Sequence, residues 1–247
     1  MLLELDRVSK SYGDLLVLDG ISLAVPRGEF LCLLGPSGSG KSTLLRLMAG
    51  FEAPDDGAII HDGRVITGAD PRRMMIFQDF NQLFPWKTVR GNVLLPLKMK
   101  KGGGSGRERR AIAERYLAMV QLDEYGAYYP HQLSGGMKQK AAIARALALE
   151  PEVLLMDEPF GSLDAQTRET LQRNLIEVWA GTGVTVVFVT HDIHEAILLA
   201  DRIVVLAKAG RGIKAILPNP LTRPRFPDGP GFAALWREVH GRLDPLD

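Results

Sequence analysis

Residues 35–43 read GPSGSGKST, and this run restricts the possible folds more than any other stretch of the chain. It fits the pattern G-x-x-x-x-G-K-[ST], with Gly35, Gly40, Lys41 and Ser42 at the fixed places. The apolar segment Phe30 to Leu34 leads into it, and Leu44, Leu45, Leu47 and Met48 follow at helical spacing. Strand, glycine-rich loop and helix in that order build a phosphate-binding loop. Its glycines let backbone N–H groups turn inward around a polyphosphate, and a helix starting near Lys41 adds the positive end of its dipole. Lys41 is placed to reach the terminal phosphates and Ser42 to put its hydroxyl on Mg²⁺. A glycine-rich turn holding one lysine by chance would lack both the apolar strand before it and the helix after it.

The segment EVLLMDEP, Glu152 to Pro159, supplies the chemistry such a loop needs. An apolar strand ends in two adjacent carboxylates, at the edge where open α/β sheets bind ligands. Asp157 suits the Mg²⁺ shell, and Glu158 suits orienting or deprotonating an attacking water. Alone, the pair would read as a solvated acidic turn. Downstream of a phosphate loop it favours hydrolysis over transfer to a second substrate.

Between and around these motifs the texture is α/β. Strands are expected over Leu2 to Val8, Ile21 to Val25 and Phe30 to Leu34, with turns at Gly13, Gly20 and Arg27-Gly28. Short strands fit Ala58 to His61, Val65 to Thr67 and Met74 to Phe77. Helices fit Ser42 to Ala49, 90–100, 107–122, Gly136 to Leu149 and Ala165 to Ala180. The glycine-rich KKGGGSG at 100–106 reads as a loop with solvated lysines. Val153 to Met156, Val184 to Val189 and Ile203 to Leu206 are continuous apolar runs, as parallel strands covered on both faces require.

The third informative run is LSGGM at 133–137, followed by KQKAAIARAL. Ser134, Gly135 and Gly136 form a second small anion nest at a helix start. Taken with the phosphate loop and the paired carboxylates, this run makes the chain resemble the ATP-binding subunit of an ABC transporter. The resemblance implies a phosphate-loop NTPase core with a predominantly parallel sheet, an antiparallel β subdomain and an α-helical insert. It places the ATPase domain at 1–215, with its core at about 1–80 and 150–215, the insert at about 81–149 and a tail with a final helix at 216–247. Tyr12 stands where the family stacks an aromatic ring on adenine, although Ser11-Tyr12-Gly13 also fits a surface turn. Gly35, Pro36, Ser37, Gly38, Ser39, Gly40, Lys41, Ser42 and Thr43 form the Walker A loop around ATP. Gln78 in IFQD matches the glutamine that senses the γ-phosphate through Mg²⁺ and water. Ser134, Gly135, Gly136 and Met137 belong to the signature, with Met137 where many members have glutamine. LLMDEP is Walker B, GSLD at 161–164 resembles the D-loop with Ser162 where alanine is usual, and His191 in VTHD matches the switch histidine.

The family solution for two nests and one phosphate loop is a head-to-tail dimer. Each ATP then lies between Walker A of one copy and LSGGM of the other, and Asp164 crosses the interface. FPWKTVRGNV, FGSLDAQTR, HDIHEAILLADRIVVL and the ending PRFPDGPGFAALWREVHGRL resemble nitrate, sulfonate and taurine importers. That implies transmembrane permease subunits as partners and, indirectly, an extracytoplasmic solute-binding protein. Phe84 and Trp86 fit either core packing or a groove for a short cytoplasmic helix of the permease. An export or lipid-handling complex is the alternative. A repair ATPase would carry a coiled coil between Lys41 and Ser134, where no heptads are sustained.

Composition agrees with this placement. A formal charge of +1 argues against a nucleic-acid partner, and the single cysteine, Cys32, excludes an internal disulfide. The start MLLELDRVSK lacks the basic-then-apolar pattern of a secretory signal. The expected location is the cytoplasmic face of the cell membrane, peripheral to it. His61, His131, His194 and His240 lack metal-ligand spacing and read as ordinary surface or helix positions.

Overall fold

The structure is a computed structural model that describes residues 1–79, 82–100, 102, 104–161, 163–208 and 212–243. The expected features at Ser162, at Asn81 and at Lys101 and Gly103 of the glycine-rich loop lie outside the described residues. Three apolar runs assemble its centre. Strands β3 (Phe30–Leu34), β7 (Val153–Asp157) and β8 (Thr185–Thr190) lie side by side in parallel, and only Asp157 among their residues is not buried. β9 (Arg202–Leu206) and β6 (Arg73–Ile76) extend the parallel sheet on either side, and β10 (Ile213–Pro218) closes one edge antiparallel to β9.

Successive side chains of a strand point to opposite faces, and here each face has its own core. Phe30, Cys32, Leu34, Leu154, Met156 and Phe188 join a cluster beneath the helices that follow β6, β8 and β10. Leu31, Leu33, Leu155, Val187 and Val189 join a second cluster with helix α1 (Lys41–Ala49) and an antiparallel sheet. That sheet has the order β2 (Leu15–Val25), β1 (Leu3–Tyr12), β4 (Asp56–His61) and β5 (Arg64–Val65). Each fully buried Leu, Val or Phe contributes about 1.5–3 kcal/mol, so both faces hold the sheet strongly.

Helices α2 (Val89–Met99), α3 (Gly106–Met119) and α4 (Gly135–Leu147) pack on one another, and all three fall inside 81–149. Their starts are written in the sequence. Thr88 accepts from Gly91 N, Ser105 and Glu108 form a capping box, and Ser134 accepts from Met137 N. Helix α5 (Ala165–Thr182) is capped by Asp164 and ends at Gly183. Helix α6 (Ile193–Leu199) lies against β3 and β8 and carries helix α7 (Phe232–Leu243) on its outer side.

Several expectations are corrected. The first two strands run to Tyr12 and from Leu15, so the turn between them is at Gly13-Asp14 and not at Gly20. Gly20 is inside β2 at φ 56°, within a register irregularity that absorbs it as a bulge. Helix α6 and strand β10 were not expected. β10 spans position 215, so the six-stranded sheet continues into the stretch read as a tail. His61 is not a surface residue. It is 1% exposed, with Nδ1 3.1 Å from Arg73 Nη1 and Nε2 3.6 Å from Glu152. His194 is an exposed position in helix α6, as expected, and its ring stacks on Phe232 of α7.

Candidate active site

Strand register gathers the site. Leu34 pairs with Thr190, Val189 with Asp157, and Met156 with Ile76. The residues just beyond these positions therefore emerge along one edge: the loop from Gly35, then His191, Glu158 and the segment leading to Gln78. This is the carboxyl edge, where α/β sheets take ligands.

The loop from Gly35 to Gly40 turns sharply into α1. Gly40 sits at φ 88°, and a Cβ there would lie 2.7 Å from Leu18 Cδ2, so strand β2 leaves no room for a side chain. Pro36, Ser37 and Gly38 are exposed, while Gly35 and Ser39 are buried. The Ser39 hydroxyl is buried without a hydrogen-bond partner. Lys41 is 6% exposed, and its Nζ donates to the carbonyls of Gly35 (2.8 Å) and Pro36 (2.9 Å). Burial lowers its pKa, opposed by the charges of Glu158 and Asp157. Ser42 Oγ donates to Asp157 Oδ1 at 2.9 Å. Burial raises the Asp157 pKa, and the hydrogen bond from Ser42 works against that rise.

Beside this pair, Glu158 Oε2 lies 3.0 Å from His191 Nδ1. Glu158 has φ 41°, a left-handed conformation that costs a non-glycine residue on the order of 1–3 kcal/mol. Such an outlier at the end of a buried strand points to a functional demand on where the carboxylate aims. Gln78 is exposed and converges on the same point. A methyl placed on Gly161 would lie 3.6 Å from Gln78 Nε2 and 3.8 Å from Glu158 Oε2.

Tyr12 is 45% exposed, near the start of α1, and its hydroxyl bonds to Glu52. Burial raises its pKa first, then the Glu52 contact, while Thr43 pulls it down. Glu52 is also 3.7 Å from Arg46 of α1. The sequence reading missed Glu52, since nothing local marks an acid forty positions away as a partner of Tyr12.

The signature residues sit elsewhere. Ser134 and Met137, with Gly136, line a depression of about 330 Å³ bordered by Tyr125 and Thr167. No residue of the phosphate loop lines it. Gly136 is buried because α5 is so close: a Cβ there would meet Thr167 Cγ2 at 2.5 Å. Asp164 is exposed and accepts from Thr167 N at 2.9 Å, a contact that lowers its pKa. Trp86 is 70% exposed and 5.5 Å from the partly buried ring of Phe84, so core packing does not account for it.

The donor set fits a hard dication. Ser42 and Asp157 offer two oxygens, and no cluster of three or more His, Cys, Asp or Glu side chains suited to a metal occurs among the described residues. An ion there would take its remaining ligands from phosphate and water, as Mg²⁺ does.

Residues 18–161 match the ABC transporter family. Among curated relatives, the bicarbonate transport ATP-binding protein CmpD of Synechocystis sp. is 45% identical over 231 residues, covering 92% of this chain and 82% of that protein. The nitrate import ATP-binding protein NrtD of Synechococcus elongatus is 44% identical, covering 90% and 83%. Among solved structures, the dimeric post-hydrolysis ATP-binding cassette MJ0796 bound to ADP and Pi aligns with TM-score 0.76 and 35% identity, covering 90% of this chain and all of that one. The structure of cbiO1 from Clostridium perfringens aligns with TM-score 0.80 and 29% identity, covering 89% and 88%.

Proposed function

This chain belongs to the ABC transporter family as an ATP-binding, ATP-hydrolysing import subunit, and from that premise we propose the roles of its residues and its assembly. One observation carries the reading. Ser42–Asp157 and Glu158–His191 meet at one sheet edge, while the signature nest lies on other elements.

In this reading Lys41 leaves its own loop carbonyls and binds the terminal phosphates, and the N–H groups of the Gly35 to Thr43 segment cradle them. Tyr12, held by Glu52, stacks on adenine. Ser42, Asp157 and Gln78 hold Mg²⁺, which when bound neutralises developing phosphate charge. Glu158 takes the proton of the attacking water or orients it. His191 Nδ1–H donates to Glu158, so its Nε2 can also donate to a phosphate oxygen only as the imidazolium. The core at about 1–80 and 150–215 performs this chemistry, and the insert at about 81–149 carries the signature.

Ser134, Gly135, Gly136 and Met137 complete the site of a second copy, with Asp164 at the shared interface. The exposed Trp86 and neighbouring Phe84 receive a cytoplasmic helix of a permease, which holds the chain at the inner membrane face. No helix among the described residues is long and apolar enough to cross a membrane, so attachment through a partner fits. The cargo expected from sequence was nitrate, a sulfonate or taurine. The names of the relatives add bicarbonate, and a small anion delivered by a solute-binding protein covers most of that range.

The test is Glu158→Gln with Mg-ATP. Size-exclusion chromatography should show a dimer that persists because turnover has stopped. Continued hydrolysis, or a monomer under saturating ATP, refutes the reading.

A further inference from the structure

Behind His191 lies a buried polar cluster whose carboxylate, Glu195, has no role in the site described above. Glu195, on α6, is 5% exposed in an otherwise apolar helix face. Its Oε2 accepts from Thr190 Oγ1 at 2.6 Å, and its Oε1 accepts from Gln172 Nε2 at 3.2 Å. Arg168 Nε is 3.8 Å from the same Oε1. Thr190 Oγ1 in turn accepts from Asp192 N at 3.0 Å. The residues on both sides of His191 are thus fastened through one hydroxyl to one carboxylate. A small cavity joins this cluster to the hydrolytic pair, lined by Glu158, His191, Thr190, Arg168 and Glu195.

The other end of the cluster is on α5. Arg168 and Gln172 are one turn apart on the same face of that helix. Arg168 also donates to the Leu163 carbonyl at 3.1 Å, and its Nη1 is 3.8 Å from Asp192. Leu163 immediately precedes Asp164, the cap of α5.

We propose that Glu195 is a positioning residue for ATP hydrolysis: its carboxylate fixes the Thr190–Asp192 turn that aims His191, and ties that turn to the helix that begins at Asp164. The proposal rests on the reading that His191 acts at the terminal phosphate. Packing alone does not explain a carboxylate here. Burying one is costly unless its hydrogen bonds are complete, and a leucine would fill a helix–sheet contact without that cost. Burial raises the Glu195 pKa, and the hydrogen bonds from Thr190 and Gln172 oppose the rise.

The experiment compares Thr190→Val, Thr190→Ser, Glu195→Gln, His191→Ala and the double variant His191→Ala/Thr190→Val in the full chain. Displacing a positioned group by about 1 Å can cost on the order of a hundredfold in rate, so Thr190→Val and Glu195→Gln should lower kcat at least about tenfold. Affinity for a fluorescent ATP analogue should stay within about twofold, because substrate contacts are untouched. Thr190→Ser keeps the hydroxyl and should restore kcat to within about threefold of the unaltered chain. In single-turnover measurements, adding Thr190→Val to His191→Ala should cause no further loss. Full activity in Thr190→Val overturns the proposal even if Glu195→Gln fails to fold, and so does an additive loss in the double variant. Unaltered hydrolysis by His191→Ala would instead remove the reading of His191, and the proposal with it.

Discussion

Lys41→Met separates what this residue does for the fold from what it does for the nucleotide. The substitution keeps a long unbranched stem and removes the charge. In the nucleotide-free protein it deletes two hydrogen bonds from a charged donor, to Gly35 O at 2.8 Å and Pro36 O at 2.9 Å. Such bonds contribute about 1.5–3 kcal/mol each. Against this, the side chain is 6% exposed, and an ammonium brought into that environment costs several kcal/mol. The Pro36 carbonyl is in an exposed residue and can turn to water, so only Gly35 O is left wanting. The two effects nearly cancel, and stability without nucleotide should move by no more than about 2 kcal/mol either way. ATP binding has no such cancellation. Losing one or two charge-assisted bonds to phosphate costs about 3 kcal/mol, or roughly a 150-fold weaker Kd. Urea unfolding without nucleotide and titration with a fluorescent ATP analogue measure the two quantities on the same preparation. A Kd within about threefold of the unaltered chain would refute the role in phosphate binding, and a stability loss above about 4 kcal/mol would show the lysine to be a structural strut.

Ser42→Ala removes the donor to Asp157, and the Mg²⁺ concentration for half-maximal hydrolysis should rise about tenfold, in keeping with one lost ligand. An unchanged Mg²⁺ dependence would exclude Ser42 from the metal shell. Ser134→Arg should abolish hydrolysis alone yet recover part of it when mixed with Lys41→Met, because one of the two sites in the mixed dimer is intact. Failure of every mixture to recover any rate argues against sites shared between copies. His61 is held below its usual pKa by burial first and by Arg73 second. The unfolded chain therefore binds a proton that the folded chain does not, and this share of stability is lost as pH falls below about 6.5. The urea midpoint should drop less steeply from pH 7 to 5.5 in His61→Gln, and parallel slopes would contradict the assignment.

What the sequence disclosed depended on how local the physics was. β3, β7 and β8 were legible because strands buried on both faces must be apolar throughout, and their ends carried the phosphate loop, Asp157, Glu158 and His191. The β1–β2 hairpin was not. Its strands pass through irregularities at Gly20 and around Ser9, and a glycine with positive φ inside a strand is written like one in a turn. Helix α6 was hidden because seven residues are too few to show a period. His61 reads as polar and so as exposed, until Arg73 of β6 and Glu152, just before β7, come against it. The same holds for Glu52 at Tyr12 and Glu195 behind Thr190. Motifs gave the residues proposed to touch the nucleotide, while the groups that hold them still come from other elements.

The group behind Thr190 reaches across to α5. Its first residues face the signature helix, where Gly136 approaches Thr167 so closely that a single methyl would not fit. Its cap is Asp164, and its next turn carries Arg168 and Gln172 against Glu195. A helix of eighteen residues, capped at both ends and buried along Leu171, Leu175 and Val178, spans the distance between the two. If the proposed shared site holds, α5 is the element through which a partner copy at the signature nest would reach the turn that carries His191. Coupling of this kind needs no long pathway, only one rigid element that touches both faces.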